Sequence, residues 1–367
     1  MKIGVPKEVA ANERRVALTP EVAGRLKKGG FEIVVERGAG SAAFFPDTAY
    51  TAAGATLVDR AVTLGEVDVT LQVQAPAAAD VARYREGGAV VAAFQPAADP
   101  ALVRQLAQRK LTTFSLVLLP RITRAQGMDV LSSQATVAGY KAVLIAASAT
   151  GRLLPMLVTA AGTLPAARVL VLGAGVAGLQ AIATARRLGA IVSAFDVRPA
   201  VKEQVQSLGA TFLEMAIEEH AETAGGYAKE LSADTHQKEL AFLAKAVKDA
   251  DIVITTAAIP GKKAPILITA AAVDGMKPGA VIVDLAAETG GNCEVTQAGA
   301  EIVRHGVVVL GPLNLPSTLP FDASQMYARN VAAFLGHIVK DGQLRTDFTD
   351  QIIGDTCVTH AGEVRKS

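Results

Sequence analysis

One change of rhythm constrains this chain more than any other feature. The apolar run Val169–Leu172 stops at Gly173-Ala-Gly-Val-Ala-Gly178, which opens an amphipathic helical pattern over Ala177–Leu188. Strand, glycine turn and helix in that order make a βαβ unit, and each glycine has its own task. Gly173 permits the tight turn, Gly175 lets backbone approach a pyrophosphate, and Gly178 allows close helix–strand packing. The helix N-terminus then offers unsatisfied N–H groups and the positive end of its dipole to phosphates. The six-residue pattern is weak by itself; its context strengthens it. The next apolar run, Ala190–Asp196, reads as a strand ending in a carboxylate 18 residues beyond Gly178. Such a carboxylate accepts hydrogen bonds from both adenine-ribose hydroxyls and repels a 2′-phosphate, favouring NAD over NADP. Arg198, two residues on, would weaken that preference.

The same rhythm extends in both directions. Ile3–Pro6, Phe31–Glu36, Ala55–Val58, Val67–Val73 and Gly88–Phe94 read as strands, and Pro100–Lys110 as a helix. Thr19-Pro20-Glu21 is a helix start, with Thr as cap and Pro at the first position, and Gly29-Gly30 ends that helix. After Ala190–Asp196 come Asp251–Thr255, Ala280–Leu285 and Gly306–Leu310. The expected fold is α/β, with two Rossmann-like doubly wound parallel-sheet domains. The length of 367 residues suits two domains at about 150 residues each. Phe321–Lys340 reads as a long helix returning to the first domain. That makes the first domain discontinuous: residues 1–132 plus 320–367, with the second over 133–319.

Composition narrows the function. Half of the residues are hydrophobic and 19% charged, which suits a large core, and the net charge of +1 leaves no basic excess for nucleic acid. Cys293 and Cys357 cannot form a disulfide framework and fit a reducing compartment. The start of the chain lacks a signal-peptide layout. Ala142–Gly151 and Leu153–Ala167 are the most apolar stretches. Each is shorter than the roughly 18–20 uninterrupted residues of a membrane span, so they read as a buried interdomain helix pair in a soluble protein.

Several other segments carry polar chemistry. The loop Arg121–Asp129 holds a cation, an amide and a carboxylate at Arg121, Gln126 and Asp129; Arg121 and Asp129 could pair, or polarise a carboxamide. Met215–Glu239 is a long polar insertion with Gly225-Gly226 before Tyr227, and reads as a closing loop. Gly38-Ala39-Gly40 mimics the first glycine turn, but Pro46-Asp47 starts a fresh helix and leaves no helix N-terminus over it. The five histidines show no HExxH pattern and there is no GxSxG, so neither a metal site nor an α/β-hydrolase is expected. Asp284 and Glu288 read as capping and loop-bonding groups.

Taken in order, these motifs resemble one family over essentially the whole chain. They are Gly4-Val-Pro-Lys-Glu8, Arg14-Arg-Val-Ala-Leu-Thr-Pro20, Pro120–Asp129 with Leu131-Ser-Ser-Gln134, Gly173–Gln180, Asp196-Val-Arg198, Gly225–Lys229, Pro260-Gly-Lys262 and Gly290–Cys293. The chain resembles the NAD(H)-binding alpha subunit of proton-translocating nicotinamide nucleotide transhydrogenase, whose relatives are the alanine dehydrogenases. Where those dehydrogenases carry a catalytic Lys and a catalytic His, this chain has Gln74 and Gln95. A Gln amide cannot move the protons that amino-acid oxidation requires, whereas hydride exchange between two nicotinamides needs only positioning and electrostatics. Arg15, which holds a substrate carboxylate in the dehydrogenases, remains as structural inheritance.

The resemblance implies that Arg121, Gln126, Asp129 and Ser132 surround the nicotinamide and its ribose. It puts Val176 at the pyrophosphate turn, and Asp196, Val197 and Arg198 at the adenosine end. Gly226 and Ala258 would line the pocket, and Tyr227 would ride a mobile loop at about residues 215–239. It implies a homodimer that docks an NADP(H)-binding subunit and a membrane proton-channel subunit. Hydride would pass directly between NADH and NADP⁺, coupled to proton translocation. With no appended membrane helices, the chain is expected to be a separate soluble polypeptide, peripheral on the cytoplasmic face of the inner membrane. The alternatives are an alanine-type NAD-dependent dehydrogenase and a nucleotide-binding module without hydride chemistry.

Overall fold

The computed structural model describes residues 1–215, 232–259 and 262–366. The chain forms two compact units, one of residues 1–134 with 316–367 and one of residues 135–315.

The first unit is built on an eight-stranded sheet. Its order is Glu363–Val364, Cys357–His360, Thr112–Ser115, Ala89–Ala92, Val69–Leu71, Lys2–Val5, Glu32–Glu36, Thr56–Val58. Pairing is parallel from Thr112–Ser115 onward, and the two C-terminal strands join antiparallel. Ile3 registers against Ile33 and Val69, all three buried, which is the near-continuous apolar reading of a sheet covered on both faces. The helix Pro320–Ile338 returns Tyr327, Val331, Phe334, Leu335 and Ile338 to this core. That burial is why the C-terminal segment belongs with the N-terminal one. Strand order reverses beside Lys2–Val5, so the switch point lies over the loops after Val5 and Leu71.

The second unit carries a seven-stranded sheet, ordered Thr211–Phe212, Ile191–Phe195, Arg168–Leu172, Ile252–Thr255, Val281–Asp284, Val307–Leu310, Glu301–Arg304, with only the last strand antiparallel. Successive residues of Arg168–Leu172 alternate between two cores: Val169 and Val171 enter one, Leu170 and Leu172 the other. The order reverses between Arg168–Leu172 and Ile252–Thr255. Their carboxyl ends are the place where an open α/β sheet leaves a crevice.

Several expectations need correction. The apolar stretches near residue 150 are not a helix pair. The first belongs to one helix, Val130–Ala149, and the second contains the hairpin Leu157–Thr159/Gly162–Leu164, every strand residue of which is exposed. Pro155, Gly162 and Pro165 interrupt any helix there, and Gly162 takes the turn at φ 114°. Taken whole, Val130–Ala149 is long and apolar enough to cross a membrane by length and composition, at mean hydropathy 1.2. Counting only uninterrupted runs hides this, because Lys141 divides the stretch. Thr19 stands at the cap position of Pro20–Lys28, but its buried hydroxyl finds no partner among the described residues. Of the insertion at 215–239, the end is helix, since Ala233–Lys248 begins inside it. The strands Thr112–Ser115, Thr211–Phe212, Glu301–Arg304 and Cys357–His360 carry no apolar run that would announce them. In the first and last, buried hydroxyls (Thr113 to Thr359, 2.8 Å) satisfy one another where an apolar pattern would have marked a strand.

Candidate functional site

At the switch point of the second unit, the glycine turn has the geometry its sequence requires. Gly173 sits at φ 96°, and a Cβ there would lie 2.7 Å from the Thr256 hydroxyl. A Cβ on Gly178 would fall 1.9 Å from the Gly173 carbonyl oxygen, whereas Gly175 faces open space. The helix Val176–Arg187 starts directly behind it, with Gly175 extended at the cap and Val176 exposed. An anion can therefore approach the backbone N–H groups at Gly175 without meeting a side chain, so the turn fits a pyrophosphate.

The neighbouring loop is fixed to this turn. Thr256 donates its hydroxyl to the Gly173 carbonyl (2.9 Å), and its N–H to Leu172 (2.8 Å). One residue on, Asn292 holds Ala257 from both sides, accepting its N–H (3.0 Å) and donating to its carbonyl (2.9 Å). Fully buried Asp284 holds Asn292 in turn. Its carboxylate accepts from Thr255, Ala286, Asn292, Cys293 and Thr296, with distances from 2.7 to 3.1 Å. Ala258 is the exposed residue at the end of this chain of contacts. Sequence reasoning gives Asp284 a loop-bonding role but assigns none to Asn292 or Thr256. Asn292 lies within the Gly290–Cys293 motif, which is the available signal.

Asp196 ends its strand beside the turn, but its carboxylate is already engaged. Oδ2 accepts from the Ala174 N–H and Arg198 Nη2 (both 2.7 Å), and Oδ1 accepts from the N–H and Nε of Arg198 (both 2.9 Å). The sequence suggests a carboxylate open to ribose; the structure closes it with Arg198. Glu239, on the helix Ala233–Lys248, adds a second buried acid close to Asp196. Burial raises its pKa, its hydrogen bond from His236 opposes the rise, and the Asp196 charge adds to it. Gly226, Tyr227 and the rest of the expected closing loop up to residue 231 lie outside the described residues.

In the first unit, Arg121 and Gln126 are exposed and Asp129 is half-buried, around the 3-10 turn Thr123–Met128. Asp129 caps the helix Val130–Ala149: Oδ1 accepts the Ser132 N–H (2.9 Å) and Oδ2 the Ser132 hydroxyl (2.6 Å). Asp129 and Ser132 are thus joined as a capping pair. Two contacts pin the turn from behind: Asn330 donates to the Gly127 carbonyl (2.8 Å) and Arg124 to Asp350 (3.0 Å).

The switch point of the first unit is filled by its own side chains. Glu13 takes Arg15 in a two-pronged pair (2.8 and 2.6 Å), Arg15 also reaches Gln134 (2.8 Å), and Gln74 donates to Glu13 (2.7 Å). Burial would raise Glu13, but the Arg15 bonds outweigh it and hold the carboxyl at about 2. Glu8 accepts the Val73 N–H (2.6 Å). Burial lifts its pKa to about 7, against the Val73 bond and helped by the Glu13 charge. Gln95 is exposed. With an amide at position 74 and Arg15 already paired, this cluster shows no Lys or His among the described residues to serve amino-acid oxidation.

Comparison with known proteins agrees with this arrangement. The profile for the alanine dehydrogenase/PNT N-terminal domain matches residues 4–138, and that for the C-terminal domain matches residues 142–367. The chain belongs to the alanine dehydrogenase/PNT family. Within the family it sits on the transhydrogenase side. It is 48% identical to the first portion of NAD(P) transhydrogenase subunit alpha of Rhodospirillum rubrum, over 99% of this chain and 97% of that one. A transhydrogenase structure from Sinorhizobium meliloti superposes with a TM-score of 0.87 at 45% identity, covering 99% of this chain and 98% of that chain. Alanine dehydrogenase 2 of Staphylococcus aureus is more distant, 31% identical over 87% of this chain and 82% of its own. The family handles nicotinamide nucleotides, in keeping with the glycine turn described above.

Proposed function

We propose that this chain is the NAD(H)-binding component of a proton-translocating NAD(P) transhydrogenase. The observation that carries the reading is the pairing of an open glycine turn at one switch point with a closed, amide-lined cluster at the other. In this reading the second unit binds NAD(H). Gly173, Gly175, Val176 and Gly178 take the pyrophosphate, Asp196 and Val197 the adenosine end with Arg198 beside them, and Gly226, Tyr227 and Ala258 complete the pocket. Arg121, Gln126, Asp129 and Ser132 of the first unit orient the carboxamide and ribose of the nicotinamide. Bound NADH supplies a hydride to NADP⁺ held on a partner subunit, and a membrane subunit couples the transfer to proton passage. This chain moves no substrate proton, which is why Gln suffices at positions 74 and 95.

The working unit is a homodimer, held peripherally on the cytoplasmic face of the membrane by its partner subunits. The exposed apolar hairpin, with Met156 and Val158 more than half exposed, supports a second copy as its cover. The test is NADPH-dependent reduction of an NAD⁺ analogue, with and without an added NADP(H)-binding transhydrogenase subunit. Activity that needs both proteins is expected. NADH binding without exchange in the mixture, together with alanine-dependent NAD⁺ reduction by this chain alone, would favour the dehydrogenase.

A further inference from the structure

The Asp196 carboxylate has a bonding pattern that suggests how a nucleotide would gain access to it. A carboxylate offers about four lone-pair sites, and four donors among the described residues reach this one. Two are main-chain N–H groups, from Ala174 in the glycine turn and from Arg198 itself, and they keep the carboxylate in place whatever the Arg198 side chain does. The other two are Nε and Nη2 of the Arg198 guanidinium, one on each oxygen. A ribose diol presents two hydroxyl donors. The side-chain donors that can leave therefore match in number the hydroxyls that would replace them.

We infer that Arg198 is an internal competitor of the nucleotide: its guanidinium occupies the ribose-binding oxygens of Asp196 in the free chain and is exchanged for the ribose diol on binding. This rests on the reading of the second unit as the NAD(H) site. The Asp196 side chain is buried at 4% exposed and the Arg198 side chain is the more open partner at 13%, so the guanidinium can swing outward while Asp196 stays anchored. After the exchange the Asp196 carboxylate faces the ribose and repels a 2′-phosphate. The displaced guanidinium is the one cation of this pair able to offset that bias. Arg198 therefore works against NADH affinity and against selectivity for it.

The sign of this prediction separates it from an ordinary contact role. Binding of NADH and of NADPH is measured by calorimetry for wild type, Arg198→Ala and Arg198→Lys, with melting temperature as the control for folding. Arg198→Ala is expected to bind NADH about fivefold more tightly, the scale of one net hydrogen bond regained, with no gain for NADPH. Arg198→Lys keeps a cation but loses the rigid two-point fork that the guanidinium lays on the carboxylate, so it also gains for NADH. It remains a valid test if the Ala variant folds poorly. The inference is overturned if neither variant binds NADH more tightly than wild type, or if NADPH gains as much. A wild-type chain that binds NADPH but not NADH would instead overturn the NAD(H) reading and this inference together.

Discussion

At the scale of single residues, several groups assigned to chemistry also hold the backbone, and experiments must separate the two roles. Asp129 is both an acid in the proposed nicotinamide segment and the N-cap of the helix Val130–Ala149. Asn caps about as well as Asp, whereas Ala loses about 1 kcal/mol. Asp129→Asn is therefore expected to keep wild-type stability and near wild-type NADH affinity, while slowing hydride transfer roughly ten- to a hundredfold through misorientation. Asp129→Ala should add a fall in melting temperature. If the Asn variant loses affinity in step with rate, Asp129 only holds the nucleotide. Glu8 gives a residue-scale prediction about pH. Its folded pKa of about 7 lies above the ordinary 4.5, so the folded state binds its proton more tightly than the unfolded state does. The stability it contributes is complete below pH 4.5 and is lost as pH rises to about 7, at up to about 1.4 kcal/mol per pH unit. Glu13 runs the other way: its folded pKa of about 2 makes its contribution complete above 4.5 and lost as pH falls towards 2. Urea unfolding at pH 5 and pH 8 should show Glu8→Gln losing less stability over that interval than wild type. Parallel losses would remove Glu8 as the titrating group.

At the scale of elements, legibility in the sequence follows how each element is stabilised. Parallel strands covered on both faces, such as Ile252–Thr255 and Val281–Asp284, are continuous apolar runs and can be read to within a residue or two. The glycine turn is legible because its glycines answer to steric demands: the 1.9 Å approach at Gly178 allows no other residue. Edge strands are not legible. Glu301–Arg304 alternates exposed and half-buried positions and pairs antiparallel on one side only. Cys357–His360 is fixed by hydroxyl partners far away in the chain. The site shows the same division. The residue types at 196 and 198 are visible, but their mutual closure is not, because a hydrogen bond between near neighbours leaves no periodic trace. The hold of Asn292 on Ala257 spans 35 residues of sequence and is equally hidden.

At the scale of the whole molecule, the hairpin at Leu157–Thr159 and Gly162–Leu164 bears on assembly. A two-stranded hairpin is marginal in water unless something packs on it. This one is anchored at its base, where Leu154 is buried and the Ala167 N–H donates to its carbonyl (3.0 Å). Beyond the base, Met156, Leu157, Val158 and Leu164 are all exposed, with Val158 at 73%. Four apolar side chains on a narrow arm suit a second copy, because the same arm on both chains can be covered by a self-complementary contact. Burying each such side chain is worth about 1.5–3 kcal/mol, so a charge in the patch should weigh heavily on association and little on the fold. Met156→Glu with Val158→Glu is expected to convert a dimer to monomers at micromolar concentration, seen by sedimentation velocity over a dilution series. NADH binding and melting at high protein concentration should change far less than the dimer dissociation constant, which should rise more than about tenfold for a loss of about 1.4 kcal/mol. A double variant that sediments as wild type does at every dilution would leave the hairpin without a role in self-association. The apolar arm would then have to be covered by a different chain, and the partner subunits of the exchange reaction would be the first to test against it.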